Sequence, residues 1–196
     1  MIYKIWTLFL DRDGVINQRK VGDYIRNWKE FCFLDGVLEA IPVLNKYFDR
    51  TVVVTNQQGI AKGLMTEQSL QKIHKKMVQE IEYSSGQIDA VYYCAKHKRE
   101  NPICRKPNPG MAYTAQKEFS DIQFKQAVMV GDSPSDIQFG KNLGMKTVFL
   151  TTRDDIAVHE LEVTMEQADL ILPQLADLAK EEHLSTLLPD RFSLAD

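Results

Sequence analysis

Apolar and polar positions along this chain follow two rhythms. Short β-rich runs occupy residues 5–10, 51–55, 88–93, 127–130, 147–150 and 168–172, and longer segments of helical period separate them. Strand-like runs interleaved with helices are the pattern of a parallel sheet covered on both faces. The predicted fold class is therefore α/β, a three-layer, doubly wound, Rossmann-like parallel sheet. Leu38, Ile41, Leu44 and Phe48 form one apolar stripe, and Pro42 should bend or restrict its helix because proline lacks the N–H that a helix interior uses. Leu70, Ile73, Met77 and Ile81 form a second stripe behind Thr66, a good N-cap residue. Both stripes read as core, and His74, beside the second, reads as an ordinary helix residue. Leu184, Leu187, Leu188 and Phe192 predict a closing helix and a short tail.

Two connections are too long for a compact fold. Residues 12–35 and 94–110 far exceed the median of about 4–6 residues, and long loops at strand ends commonly carry function. In an open parallel sheet, ligands sit beyond the carboxyl ends of the strands. Asp11 and Asp13 follow the first run, Thr55 and Asn56 close the second, and Gly131 and Asp132 close the fourth. Asp, Asn, Thr and Gly also collect in any turn, but three strands delivering them to one edge point to a site.

Composition narrows the options. The 196 residues, 44% of them hydrophobic, suit one domain spanning 1–196 with a full core. A net charge of -3 provides no global basic field for nucleic acid or an anionic membrane. Three cysteines cannot all pair within the chain, which argues against a disulfide framework and for a reducing cytoplasm. The start of the chain, Met1 to Leu10, lacks a signal-peptide h-region and reads as a strand. No run reaches the roughly 18 apolar residues of a membrane span.

The candidate chemistry centres on Asp11-Arg12-Asp13-Gly14-Val15. Two carboxylates one residue apart repel unless a cation or shared proton compensates, and an oxygen-rich site selects Mg²⁺, with Asp132 as a further ligand. A calcium loop is excluded because Val15 and Gly22 stand where its fifth and twelfth positions need oxygen ligands. The segment Thr55-Asn56-Gln57-Gln58-Gly59 offers hydroxyl, amide and backbone donors to phosphate oxygens. Cys104-Arg105-Lys106-Pro107 adds cations, with Lys106 suited to neutralising a transferring phosphoryl group.

Taken in order, Asp11-x-Asp13-Gly14-Val15, Thr55-Asn56-Gln57, Arg105-Lys106-Pro107 and Gly131-Asp132-Ser133-Pro134-Ser135-Asp136 resemble the four signatures of haloacid dehalogenase (HAD) superfamily phosphatases. The finer sequence of the second and third motifs resembles the nearly capless subgroup that includes heptose-bisphosphate and histidinol-phosphate phosphatases. The resemblance implies a HAD-like fold with a minimal cap and phosphate-ester hydrolysis through an aspartyl phosphate. Asp11 would be the nucleophile and Asp13 the general acid and base. The side chains of Asp11 and Asp132 and the backbone carbonyl of Asp13 would hold Mg²⁺. Thr55, Asn56 and Gln57 would bind substrate, Lys106 would neutralise phosphoryl charge, and Asp136 would orient Lys106 or a metal-bound water. The subgroup's zinc loop is incomplete here: Cys94, His97 and Cys104 remain, at most three ligands where a structural site normally has four, so structural zinc is not expected.

The two long loops carry Arg19, Lys20, Arg26, Lys29, Lys96, Lys98, Arg99 and Arg105 in an otherwise slightly acidic chain. That concentration suits a strongly anionic small molecule, with Arg105 as the clamp for a second phosphate. The expected substrate is D-glycero-D-manno-heptose 1,7-bisphosphate, losing its 7-phosphate. Histidinol phosphate is the nearest alternative, followed by a polynucleotide 3′-phosphate and by a non-catalytic phospho-receiver. The expected protein is a cytoplasmic monomer acting on a small phosphate ester, with neither nucleic acid nor membrane as partner.

Overall fold

The computed structural model describes residues 5–192. Residues 1–4 of the predicted first strand segment and 193–196 of the predicted tail lie outside the described residues. Six parallel strands form one sheet: β1 (Thr7–Leu10), β2 (Arg50–Asn56), β3 (Ala90–Cys94), β4 (Ala127–Gly131), β5 (Lys146–Leu150) and β6 (Leu170–Leu172). Their spatial order is β3-β2-β1-β4-β5-β6. The order reverses between β1 and β4, and such a switch point opens a crevice at the carboxyl ends of the two strands. Asp11 follows β1 and Asp132 follows β4, so the topology itself brings the first and last acidic motifs together.

Both sheet faces are dry because residues alternate along each strand. Leu8, Leu10, Val53, Val128 and Val130 point into one core, while Phe9, Val52, Val54, Ala127 and Met129 point into the other. The first core is covered by α1 (Val37–Leu44), α2 (Glu67–Tyr83), α6 (Leu175–Leu178) and α7 (Glu181–Leu187). Helices α3 (Gly110–Glu118) and α4 (Pro134–Leu143) supply the second through Met111, Ala112, Ala115 and Phe139. Two further helices, α5 (Val158–Gln167) and α8 (Pro189–Phe192), complete the described chain.

The helices depart from the sequence pattern in two places. The first stripe predicts one helix reaching Phe48, but α1 ends at Leu44, two residues after Pro42, and a turn then carries Phe48 into the core. The closing segment is three short helices rather than one helix and a tail, with Pro189 starting the last. Leu184, Leu187 and Leu188 are nevertheless buried together. Thr66 caps α2 as expected, accepting a hydrogen bond from the Ser69 N–H at 3.1 Å.

The cysteine count did not anticipate the pairing of Cys94 with Cys104. A disulfide joins the end of β3 to the loop ten residues later, leaving Cys32 free and exposed. An odd count prevents three cysteines from all pairing, and it leaves one local bridge possible. Among the described residues no helix is long and apolar enough to cross a membrane.

Ile73 is fully buried on the inner face of α2, against the sheet. Replacing it with alanine should cost about 2–5 kcal/mol, from lost burial plus the cavity left behind. Urea unfolding of Ile73→Ala beside the wild type measures this. A cost below about 1 kcal/mol would contradict the assigned packing.

Candidate active site

The four acidic and basic motifs converge on the crevice between β1 and β4. Lys106 lies at its floor, with its side chain 1% exposed and its Nζ 2.8 Å from Asp11 Oδ1 and 2.6 Å from Asp136 Oδ1. Burial alone would lower the lysine's pKa, but the two carboxylates outweigh it and raise the value, so the ammonium stays charged. The second motif sets the position of that lysine. Asn56 Oδ1 accepts from the Lys106 N–H at 3.0 Å, and Asn56 Nδ2 donates to the Lys106 carbonyl at 3.2 Å.

Asp136 is fully committed to positioning. Its Oδ1 meets Lys106, and its Oδ2 accepts from the Ser133 N–H and hydroxyl at 3.0 and 2.6 Å, an arrangement that also caps α4. Asp11 and Asp132 are different. Burial, opposed by Lys106 and reinforced by the charges of Asp136 and Asp13, pushes the Asp11 carboxyl up to about 6. Burial and the charges of Asp11 and Asp136 also push Asp132 well above the usual carboxylate range.

Several observations fit a divalent cation at this point. Asp132 Oδ2 is buried without a hydrogen-bond partner. Among the described residues, Asp11, Asp132 and Asp136 form a cluster whose potential ligand atoms lie within 4.8 Å of one another. The four carboxylates of Asp11, Asp13, Asp132 and Asp136 are packed with two buried cations, Arg12 and Lys106. Asp11 and Asp132 are the two whose carboxyls burial pushes up for want of compensating charge, a deficit that a divalent ion would fill.

Asp13 points away from that cluster. Arg12 Nη2 donates to both its oxygens at 2.9 Å, Asn17 Nδ2 donates to Oδ1 at 3.0 Å, and Gln57 Nε2 donates to Oδ2 at 2.7 Å. Burial pushes the Asp13 carboxyl up, but Arg12 and these hydrogen bonds more than offset it and hold it below its ordinary value. Gln57 also donates to Thr55 Oγ1 at 2.9 Å. Its amide thus faces Asp13 and Thr55, a placement that differs from the substrate contact expected of it. Thr55 and Asn56 do line the inner pocket, a space of about 190 Å³, with Asp11, Asp13, Lys106, Asp132 and Arg105.

Outside the inner pocket lies a cleft of about 450 Å³. Arg19, Lys20, Lys98 and Arg105 line it, as do Lys62, at the end of the second motif's stretch, and Arg153, from a segment the sequence did not single out. Of the other cationic loop residues, Arg26 pairs with Asp23 and is partly exposed. Arg105 Nη1 is buried with no protein partner, and burial lowers the guanidinium's pKa. The Cys94–Cys104 sulfurs are bonded to each other, and His97 Nδ1 accepts from the Arg99 N–H at 3.1 Å.

Comparison with known proteins agrees with this geometry. The HAD-hydrolase-like family model matches residues 103–178. D-glycero-alpha-D-manno-heptose-1,7-bisphosphate 7-phosphatase of Mycobacterium tuberculosis (strain ATCC 25618 / H37Rv) is 39% identical over 138 residues, 70% of this chain and 73% of the relative. D-glycero-beta-D-manno-heptose-1,7-bisphosphate 7-phosphatase of Escherichia coli (strain K12) is 34% identical over 187 residues, 91% of this chain and 94% of the relative.

The chain belongs to the HAD phosphatases. Within that family, the crystal structure of D,D-heptose 1,7-bisphosphate phosphatase from B. bronchiseptica, complexed with magnesium and phosphate, superposes with a TM-score of 0.77. The two are 30% identical, with 89% of this chain and 96% of the other covered.

This HAD phosphatase places at its site three further groups to which the sequence assigned no role, His74 among them, which reads there as an ordinary helix residue. Arg12 is 0% exposed and pairs with Asp13. His74 sits behind it, with Nε2 3.0 Å from Arg12 Nη1. Position 74 lies four residues after Leu70 and three before Met77, so the helical period itself puts it on the buried face. A polar residue there signals a partner. The third group is the segment after β5, where Asp155 accepts from Arg19 Nη2 at 2.8 Å and from Arg153 Nε at 2.9 Å. The rule that ligands collect at strand ends would have located it.

Gly14 is required by this packing. Its φ is +88°, and a Cβ there would fall 2.0 Å from Asp132 Oδ2. Gly14→Ala should displace the Asp132 carboxylate and lower kcat/KM on the order of 100-fold, as an ångström-scale misplacement of reacting groups does. The magnesium concentration giving half-maximal rate should rise in parallel. Steady-state kinetics across a magnesium titration tests both.

Proposed function

We propose that this phosphatase removes the 7-phosphate of D-glycero-D-manno-heptose 1,7-bisphosphate in two displacements at phosphorus. In the first, an oxygen of Asp11 attacks phosphorus while the P–O bond to the sugar breaks, and the leaving alkoxide takes its proton from Asp13. In the second, Asp13 as carboxylate accepts a proton from water, whose oxygen displaces Asp11 from the aspartyl phosphate and releases inorganic phosphate. The side chains of Asp11 and Asp132 and the Asp13 backbone carbonyl would hold the magnesium ion, which neutralises charge on the carboxylates and the phosphoryl oxygens. Thr55 and Lys106 supply the remaining donors to those oxygens.

Asp13 must serve in both protonation states. Its contacts with Arg12, Asn17 and Gln57 favour the carboxylate, the form needed as base in the second half of the cycle. Arrival of an anionic phosphoryl group beside it raises its proton affinity, which favours the acid form in the first half.

The observation that carries the substrate class is the outer cleft. Six cations line it, against Asp13, Asp23 and Asp155, and Asp13 and Asp155 already have arginine partners. An amine-bearing ester such as histidinol phosphate would meet the wrong charge there, whereas a second phosphate would find unpartnered donors. Arg105 has the strongest claim as clamp, because a buried N–H without a partner is satisfied when a phosphate oxygen reaches it. The two relatives compared above are named for opposite anomers, so both anomers belong in the assay.

Asp11→Asn should reduce turnover to background while the protein stays folded, because Asp136 still pairs with Lys106 and the raised pKa of Asp11 means that folding does not favour its charge. Substantial steady-state hydrolysis by that variant would remove Asp11 as nucleophile. Arg105→Ala should lower kcat/KM for the bisphosphate about 10–100-fold, the loss expected for a charged hydrogen bond, and change a sugar monophosphate far less. Equal losses on the two substrates would take the clamp role away from Arg105.

A further inference from the structure

Behind Arg12 lies His74, a buried polar side chain with no part in the scheme above. Arginine can only donate hydrogen bonds, so the 3.0 Å contact between Arg12 Nη1 and His74 Nε2 requires the imidazole to accept there. His74 is therefore the neutral tautomer with its proton on Nδ1. Burial, reinforced by the charge of Arg12, depresses its pKa to about 3, consistent with that form. The ring is fixed by its place on α2 among Leu70, Ile73 and Met77 and by its contact with the Tyr93 ring, 5.7 Å between centroids. Arg12 has no solvent exposure and spends Nη2 on both oxygens of Asp13. A long side chain such as arginine has several rotamers, and the histidine contact at Nη1 favours the one that presents Nη2 to Asp13.

We propose that His74 is a positioning residue for the acid–base carboxylate, acting through Arg12. This inference rests on the reading of Asp13 as general acid and base. In its absence Arg12 would keep its charge and lose its aim, and Asp13 would be misplaced with respect to the leaving oxygen. The consequence depends on the leaving group. An alkoxide needs the proton and a phenoxide of low basicity does not, so the defect should appear on alkyl phosphates and nearly vanish on aryl phosphates.

The experiment compares kcat/KM for a sugar phosphate and for p-nitrophenyl phosphate in the magnesium-loaded enzyme. This parameter reads the steps through phosphoryl transfer to Asp11. His74→Leu, which fills space and cannot accept, should lose on the order of 10–100-fold on the sugar phosphate and less than about threefold on the aryl phosphate. His74→Gln, whose amide oxygen can accept from Arg12, should recover most of the loss. Equal losses on both substrates, no loss on either, or no recovery with glutamine would overturn the proposal. If His74→Leu does not fold, Arg12→Lys takes its place, since it retains the charge without the fork, and the same selective loss is expected. Asp13→Asn is the control for the underlying reading. If it shows no leaving-group selectivity, the acid–base role of Asp13 fails. If it shows selectivity and the His74 variants do not, the positioning role alone fails.

Discussion

A lysine ammonium trapped between two carboxylates is the interaction on which the rest of the site depends. Lys106 is almost without solvent, and an unpaired ammonium there would be costly. Its ion pairs with Asp11 and Asp136 make its burial tolerable. Each partner is anchored in a different element: Asp11 at the end of β1, Asp136 in the first turn of α4, and Lys106 in the loop before α3. That loop is held in turn by Asn56 at the end of β2 and by the disulfide to β3. Four strand ends are thus tied to one charge. Pre-organisation of this kind lets a site stabilise developing phosphoryl charge without rearranging at the moment of reaction.

The same electrostatics separate the roles of the four aspartates. Asp136 has both oxygens engaged and works as a strut. Asp13 is surrounded by donors that favour its carboxylate form. Asp11 and Asp132 are buried with too little positive charge, and Asp132 leaves one oxygen unpartnered. These two are the ones in need of a cation. Identical side chains acquire different duties because their surroundings differ in donors, charge and water.

Much of this was legible before the structure. All six strands follow from short apolar runs, most clearly the four inner ones, which are buried on both faces, whereas the edge strands β3 and β6 are only partly buried. The motifs that build the inner pocket could be placed because a parallel sheet sends its strand ends to one edge. What escaped notice depended on contacts distant in sequence. Gln57 reads as a phosphate donor until the fold turns its amide toward Asp13. Arg12 sits in a polar motif that looks solvated, and only the arrival of α2 buries it. His74 was visible to the helical period as a polar residue on an apolar face, but its partner lies 62 residues away. Cys94 and Cys104 pair because the second long loop folds back on β3, which a count of three cysteines does not encode.

The absence of a large cap changes how such an enzyme can select its substrate. Among the described residues no cap domain closes over the site, and discrimination there falls to side chains on the rim. Arg19, Arg105 and Arg153 line both the inner pocket and the outer cleft, so they border the reacting phosphoryl group as well as whatever lies beyond it. Asp155 holds Arg19 and Arg153 together, linking the loop after β1 to the segment after β5, and Thr152 adds a hydrogen bond to the Gly14 carbonyl at 2.7 Å. Arg105, which has no such partner, is left open to a ligand. The net charge of -3 therefore says little about what the protein binds, because it averages an acidic pocket floor, a cationic rim and an ordinary surface. Charge sign alone would admit any polyanion. Under the proposed mechanism the demand is narrower: phosphorus would reach Asp11 in the small inner pocket while a second anionic group stays within reach of Arg105. A compact bisphosphate would meet both conditions.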